Sequence, residues 1–302
     1  MHSDPMHHDA KGATPRIPQR LPDWLRKRTG NPEAVLAMKK LLRDRNLHTV
    51  CQSAGCPNLP ECFQKPAATF LILGNVCTRH CTFCGVPKGI PSGVDPGEPD
   101  RIAETVRKLG LRHAVVTSVT RDDLPDGGAA HFAKTVQAIR RRSPRTTVEV
   151  LIPDFQGHVE SLTTVLGSGV DVLNHNVETI PRLYAEIRPE ANFGRSVGIF
   201  VDVKRHDPNV ITKSGLMVGL GETSVEVQDV FRRLVDAGCE ALTIGQYLAP
   251  RRTSHPVQEF IHPSRFDEYR TLALALGFKH VQSGPFVRSS YGAEGLVARK
   301  RS

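Results

Sequence analysis

The stretch ATFLILGNVCTRHCTFCG, residues 68–85, contains two signals in succession. From Thr69 to Leu73 it is apolar, uncharged and too short for a helix, so it reads as a buried strand. From Cys77 onward it is CxxxCxxC, with Gly74 before and Gly85 after to let the backbone curl. Cys77, Cys81 and Cys84 therefore occupy the loop that leaves the strand.

Outward from this stretch the alternation continues. Further β-rich runs lie at Ala114 to Ser118, Val148 to Ile152, Val170 to Leu173, Gly215 to Val218 and Ala241 to Ile244. Helical patterns separate them, at about Asp100 to Leu109, Ala129 to Arg142, His158 to Gly167, Arg195 to His206 and Val225 to Ala237, with a last one at Arg265 to Leu276. An amphipathic helix from Pro32 to Leu47 precedes the series. Parallel strands need right-handed helical crossovers, so the pattern predicts an α/β fold, a partial (βα)6 TIM-type barrel with N- and C-terminal extensions. An open doubly wound sheet is the alternative. The loops after the strands carry the unusual polar residues, in TSVTRDDLPDGG, PDFQGH, NHNVET, GLGET and GQYLAP. In a parallel barrel these loops meet at one mouth, the C-terminal face.

Three thiolates can hold three irons of a four-iron cluster, which leaves the fourth iron open to a chelating substrate. The competing use of Cys77, Cys81 and Cys84 is a zinc site completed by His80, which lies directly before Cys81. A second set, Cys51, Cys56 and Cys62, lies in CQSAGCPNLPEC; Gly55, Pro57 and Pro60 argue against a regular helix and for a loop wrapped around a ligand. His48 is near enough to complete a zinc site here too. Only 14 residues separate Cys62 from Cys77, so both sets can border one mouth. The seventh cysteine, Cys239, reads as a small buried hydrophobe.

With 302 residues, 39% of them hydrophobic, the chain can bury a large single core. It has neither an apolar run of membrane-spanning length nor a visible secretory signal, and crowded cysteines in a reduced compartment point to metal rather than disulfides. A cytoplasmic location is expected. The net charge of +9 suits an anionic partner without choosing among nucleic acid, membrane and acidic protein. Its clusters are Arg16 to Arg28, Arg140 to Arg145, and Arg299, Lys300 and Arg301. The polar opening with His2, His7 and His8 reads as disordered.

Taken together, CQSAGCPNLPECF, ATFLILGNVCTRHCTFC, VTSVTRDDLPDGGA, LNHNVETIPRLY, IRPEANFGRS, TKSGLMVGLGET, LTIGQYL and SGPFVRSSYGA resemble lipoyl synthase, a family of radical S-adenosylmethionine enzymes. The likeness runs from about Arg20 to Ala293. It implies a sulfurtransferase that inserts two sulfur atoms, at C6 and C8, into an octanoyl group carried on a protein lysine. By this resemblance Cys77, Cys81 and Cys84 hold the radical-generating 4Fe-4S cluster, and Cys51, Cys56 and Cys62 hold an auxiliary 4Fe-4S cluster that donates the sulfur. The fourth ligand of the auxiliary cluster maps to Ser290 of RSSY. An oxygen ligand is a poorer match for this iron than thiolate and should release more readily.

The resemblance also implies that Phe83 packs near the adenine of S-adenosylmethionine. Thr117, Ser118, Arg121 and Asp123 would lie near its methionyl group, Asn174, Asn176 and Glu178 near its ribose, and Arg188 near its carboxylate. The implied organisation is a disordered segment 1–18, an extension 19–66 carrying the auxiliary cysteines, a barrel 67–283 and a C-terminal extension 284–302. Implied partners are an octanoylated lipoyl carrier domain or glycine cleavage H protein, a ferredoxin or flavodoxin as electron donor, and an iron-sulfur carrier that rebuilds the auxiliary cluster. Such carrier domains are typically acidic, which matches the positive charge; neither nucleic acid nor membrane is expected as a partner. The rival readings are a radical methylthiotransferase acting on tRNA and a zinc-stabilised binding module. The first usually appends an RNA-binding domain, which this chain does not show.

Overall fold

The computed structural model describes residues 20–27, 30–65 and 67–295. The expected disorder of residues 1–18, with His2, His7 and His8, and the basic residues Arg299, Lys300 and Arg301 lie outside the described residues.

Eight strands form one sheet in sequence order: β1 (His48–Thr49), β2 (Thr69–Ile72), β3 (His113–Ser118), β4 (Thr147–Leu151), β5 (Val172–Asn174), β6 (Ile211–Val218), β7 (Ala241–Gln246) and β8 (His280–Gly284). From β2 to β8 every neighbouring pair is parallel, while β1 meets β2 antiparallel through His48 opposite Leu71. Among the described residues β1 and β8 do not pair with each other, so the barrel is open. Ten α-helices are described: α1 (Pro32–Asp44), α2 (Val50–Ser53), α3 (Leu59–Gln64), α4 (Glu98–Leu109), α5 (Ala129–Arg142), α6 (Val159–Leu166), α7 (Tyr184–Ile187), α8 (Phe193–His206), α9 (Ser224–Asp236) and α10 (Pro263–Leu276).

All six expected strands are present, and the sheet exceeds the expectation by two. The first, β1, is a two-residue antiparallel pairing that the N-terminal extension lends to the barrel. The second, β8, continues the parallel series on β7, with Ala241 opposite His280. Its sequence HVQSG has one aliphatic residue, and none of its positions is fully buried, so it lacks the apolar run that marks the inner strands.

The inner strands are buried because helices cover the outside of a parallel sheet. Every residue of β2 and β7 is buried. Phe70, Ile72, Val116, Phe132, Ile139 and Val150 belong to the core on one side, and Phe200, Phe231, Leu242, Ile244 and Phe266 to the other. Local signals set the helix ends: Asn31 caps α1 by accepting from the Glu33 N–H, and Thr223 with Glu226 forms a reciprocal capping box on α9. Gly110 ends α4 at φ +61°.

One local expectation is corrected. The Cys51 to Cys62 segment contains two short helices rather than a continuous loop. Pro60 lies in the first turn of α3, where its missing N–H has no intrahelical acceptor to lose, and Gly55 makes the break between the helices at φ +62°. The segment turns sharply, as its glycine and prolines require, and places Cys51 in α2, Cys62 in α3 and Cys56 between them.

Candidate active site between two cysteine sets

Because β2 to β8 run parallel, the loops that leave them emerge on one side. There they enclose a cavity of about 520 Å³, whose lining includes Cys51, Cys56, Cys77, Cys81, Cys84, Arg188 and Ser290. Cys62 stands behind this lining on α3, joined to the barrel by the Ala67 N–H, which donates to its carbonyl at 3.0 Å. All seven cysteines are free. Among the described residues no three His, Cys, Asp or Glu side chains stand close enough to share one ion, and this holds for each cysteine set as well. The imidazole of His80 faces Glu190 at 3.0 Å and is largely exposed. Cys239 is buried, and its thiol donates to the Ala241 carbonyl at 3.4 Å.

The CxxxCxxC loop is fastened at almost every residue. Cys77 N–H donates to Pro87 O, Thr78 N–H to Thr120 O, and Thr82 N–H to Ile187 O. Lys88 Nζ donates to the Cys81 carbonyl at 2.7 Å, and the Arg251 guanidinium to the Gly85 carbonyl at 2.7 Å. Arg79, 5% exposed, donates through Nε and Nη2 to Asp122 at 2.7 and 3.0 Å and through Nη2 to Asp154 at 2.6 Å. A single guanidinium thus ties together the loops after β2, β3 and β4. Burial pushes the thiols of Cys81 and Cys84 up, that of Cys84 to about 11, and the thiol of Cys62 also to about 11. Without metal these are neutral thiols, and binding metal would release their protons.

Phe83, Thr117, Ser118, Asn176, Glu178 and Arg188 line the cavity beside Cys77, Cys81 and Cys84. Three of their buried polar atoms have no partner within the chain: Ser118 Oγ, Asn176 Oδ1 and Arg188 Nε. Buried polar atoms are ordinarily satisfied, so these are available to a polar ligand. Arg188 is fixed by donating from Nη1 to the carbonyls of Asn176 and Val177, at 2.9 and 3.1 Å. Glu178 holds a left-handed backbone at φ +64°, and its carboxylate accepts from Asn176 Nδ2 at 3.0 Å; burial raises its pKa. Asp123 and Asn174 are elsewhere. Asp123 accepts from Arg121 at 2.8 Å, while Asn174 is held inside the barrel by Glu149 at 2.9 Å.

The tail after β8 closes the other side, and the four residues of RSSY each go to a different place. Arg288 donates from Nη1 to the Val287 carbonyl at 2.7 Å, with Cys56 and Glu178 within electrostatic reach. Ser289 Oγ accepts from Asn176 Nδ2 at 2.6 Å, Ser290 Oγ lies 2.7 Å from Thr69 Oγ1, and Tyr291 Oη donates to Glu61 at 3.2 Å. Asn58, between Cys56 and Cys62, donates to the Phe286 carbonyl at 2.6 Å. Lys27 completes the clasp, with Nζ 2.6 Å from Glu61 and 5.0 Å from the centre of the Phe286 ring. Ser290 is therefore held at the start of β2, within a tail fastened to the segment that carries Cys51, Cys56 and Cys62.

Sequence reasoning assigned no role to Thr69, Arg79, Asp154, His175 or Ser289. The last two had a visible signal, since His175 stands in NHN at a strand end and Ser289 precedes the assigned serine. Thr69 and Arg79 had none: a threonine in a strand and an arginine between cysteines look ordinary until their partners, up to 221 residues away, are seen.

An open parallel α/β barrel with CxxxCxxC on the loop after its first parallel strand defines the radical S-adenosylmethionine class, and the family model described as "Radical SAM superfamily" matches residues 71–234. At the level of fold, methylornithine synthase superposes with a TM-score of 0.53 at 14% identity, covering 82% of this chain and 76% of its own. Curated relatives narrow the assignment. A lipoyl synthase of Geobacter metallireducens is 58% identical over 91% of this chain and 96% of its own, and one of Caldicellulosiruptor saccharolyticus is 55% identical over 90% and 96%. The chain belongs to the lipoyl synthase family.

Proposed function

We propose that this enzyme inserts sulfur at C6 and C8 of an octanoyl group held on the lysine of a carrier domain, with S-adenosylmethionine as radical source. The observation that supports the reading is that cysteines of both sets line one cavity together with Ser290, whose hydroxyl is held by Thr69. Cys77, Cys81 and Cys84 would hold the cluster that meets S-adenosylmethionine. Cys51, Cys56, Cys62 and Ser290 would hold the auxiliary 4Fe-4S cluster. When bound, these groups supply an electron, a carbon radical able to take hydrogen from an unactivated carbon, and the sulfur that replaces that hydrogen.

The residues of the chain do the binding and orienting. Arg188 Nε, Ser118 Oγ and Asn176 Oδ1 offer one donor, one acceptor and one group able to act as either to the polar parts of S-adenosylmethionine. Phe83 supplies an aromatic face. Leu71, Leu151, Leu216 and Met217 give the cavity apolar wall suited to an alkyl chain. Among the described residues no helix is long and apolar enough to cross a membrane, and seven free thiols suit the reducing cytoplasm. We assign an octanoylated lipoyl domain or glycine cleavage H protein as substrate, a ferredoxin or flavodoxin as reductant, and an iron-sulfur carrier for rebuilding.

The test is to reconstitute the chain anaerobically, count iron and sulfide, and mix reduced protein with S-adenosylmethionine and an octanoylated carrier peptide. About eight irons per chain and a peptide gaining two sulfurs are expected, together with 5′-deoxyadenosine. A colourless zinc protein would overturn the reading entirely. Deoxyadenosine without sulfur in the peptide would leave radical chemistry and remove the substrate.

A further inference from the structure

Thr69 opens β2 and is 4% exposed, followed by Phe70, Leu71 and Ile72. A valine would pack there equally well, and burying a hydroxyl costs stability unless it is hydrogen-bonded. Its hydroxyl partner is the serine assigned to the auxiliary cluster: Oγ1 lies 2.7 Å from Ser290 Oγ. Thr69 also lies near enough to Cys51 to favour the ionised thiol. The same strand start holds Cys62 through Ala67 N–H. One residue thus joins the first parallel strand to the tail.

A serine that binds iron does so without its proton and then only accepts, so the Thr69 hydroxyl is placed to be the donor of this bond.

From this geometry we infer that Thr69 is a positioning residue for the oxygen ligand of the auxiliary cluster, holding Ser290 through its buried hydroxyl. The inference rests on the assignment of Ser290 given above. Partners that orient ligands, and hydrogen bonds to cluster sulfurs, set both affinity and potential. Removing a hydrogen bond from the bound serine should make the cluster harder to reduce and the serine easier to lose.

The experiment compares the reconstituted full chain with Thr69→Val, Thr69→Ala, Thr69→Ser and Ser290→Ala. Each is read by iron content, by the Mössbauer signal of an oxygen-ligated iron, and by the midpoint potential of the auxiliary cluster, none of which needs turnover. Ser290→Ala should abolish the oxygen-ligated signal. Val and Ala at position 69 should each lose at least half of it and lower the potential, and Ser should restore both. If Ser290→Ala leaves the spectrum unchanged, the ligand assignment itself fails. If Ser290→Ala removes the signal while Thr69→Val and Thr69→Ala match the parent, the ligand stands and the role of Thr69 is wrong. Equal loss in all three Thr69 variants, Ser included, would mean packing rather than a hydroxyl, and would also overturn the inference.

Discussion

Arg79 lies between Cys77 and Cys81 in sequence, and its side chain turns away from any ligand role to pair with Asp122 and Asp154. Asp154 is fully buried, so its charge depends on that guanidinium and on Arg195 at 2.8 Å. Breaking a buried pair from one side leaves a desolvated charge, at a cost of roughly 3–5 kcal/mol. Arg79→Met, which keeps the stem and removes the charge, should lower the midpoint of urea unfolding and reduce iron at the Cys77 set. Arg79→Lys should fall between, because an ammonium cannot reproduce the fork to Asp122. Equal midpoints for the Met variant and the parent would show that Arg79 does not hold the loops together.

Among elements, the inner strands and the long helices were legible because apolar runs and helical spacing coincide with burial. The observed α5, Ala129–Arg142, is the expected one residue for residue. The CxxxCxxC loop was legible for a different reason, that its pattern is local: three cysteines lie within eight residues. β8 was not, because a half-exposed strand at the open end of the sheet carries little apolar signal. Nor was the path of the tail, whose contacts with Thr69, Asn58 and Glu61 span 221 to 230 residues. Ser290 was reached by resemblance, and its surroundings by structure alone. That path depends on β7: a Cβ at Gly245 would stand 2.1 Å from the Val287 carbonyl oxygen and 3.2 Å from Arg288 Nη1. Gly245→Ala should therefore push the tail outward and carry Ser290 away from Thr69. Mass analysis should find sulfur insertion at least about tenfold slower, near 1.4 kcal/mol of lost transition-state stabilisation, while 5′-deoxyadenosine still forms. Sulfur insertion at the parent rate would show that the tail accommodates the methyl group.

For the molecule as a whole, the open barrel encloses charge as well as apolar side chains, and this makes its stability depend on pH. Glu149 on β4 is completely buried, with Lys213 Nζ at 2.9 and 3.1 Å, His113 Nε2 at 3.3 Å and Asn174 Nδ2 at 2.9 Å. Burial alone would raise its pKa, but Lys213 and the hydrogen bonds from His113 and Asn174 hold it at about 2. His175 is also fully enclosed: burial, with Arg188 nearby, lowers its pKa to about 4, and its ring is fixed between Ile152 O and Ser196 Oγ at 2.9 and 3.0 Å. In both cases the unfolded chain takes up a proton at a pH where the folded chain does not, so stability falls as pH falls. The windows differ. His175 acts first, between its ordinary 6.5 and about 4, a gap worth on the order of 3 kcal/mol; Glu149 acts between 4.5 and about 2. Urea unfolding followed by far-ultraviolet circular dichroism should show stability declining from pH 6.5 toward 4 in the parent. In His175→Gln, whose amide can donate to Ile152 O and accept from Ser196 without titrating, the decline should be much shallower. The difference between the two slopes isolates the imidazole. Parallel slopes would exclude His175 as the source of pH dependence in this window.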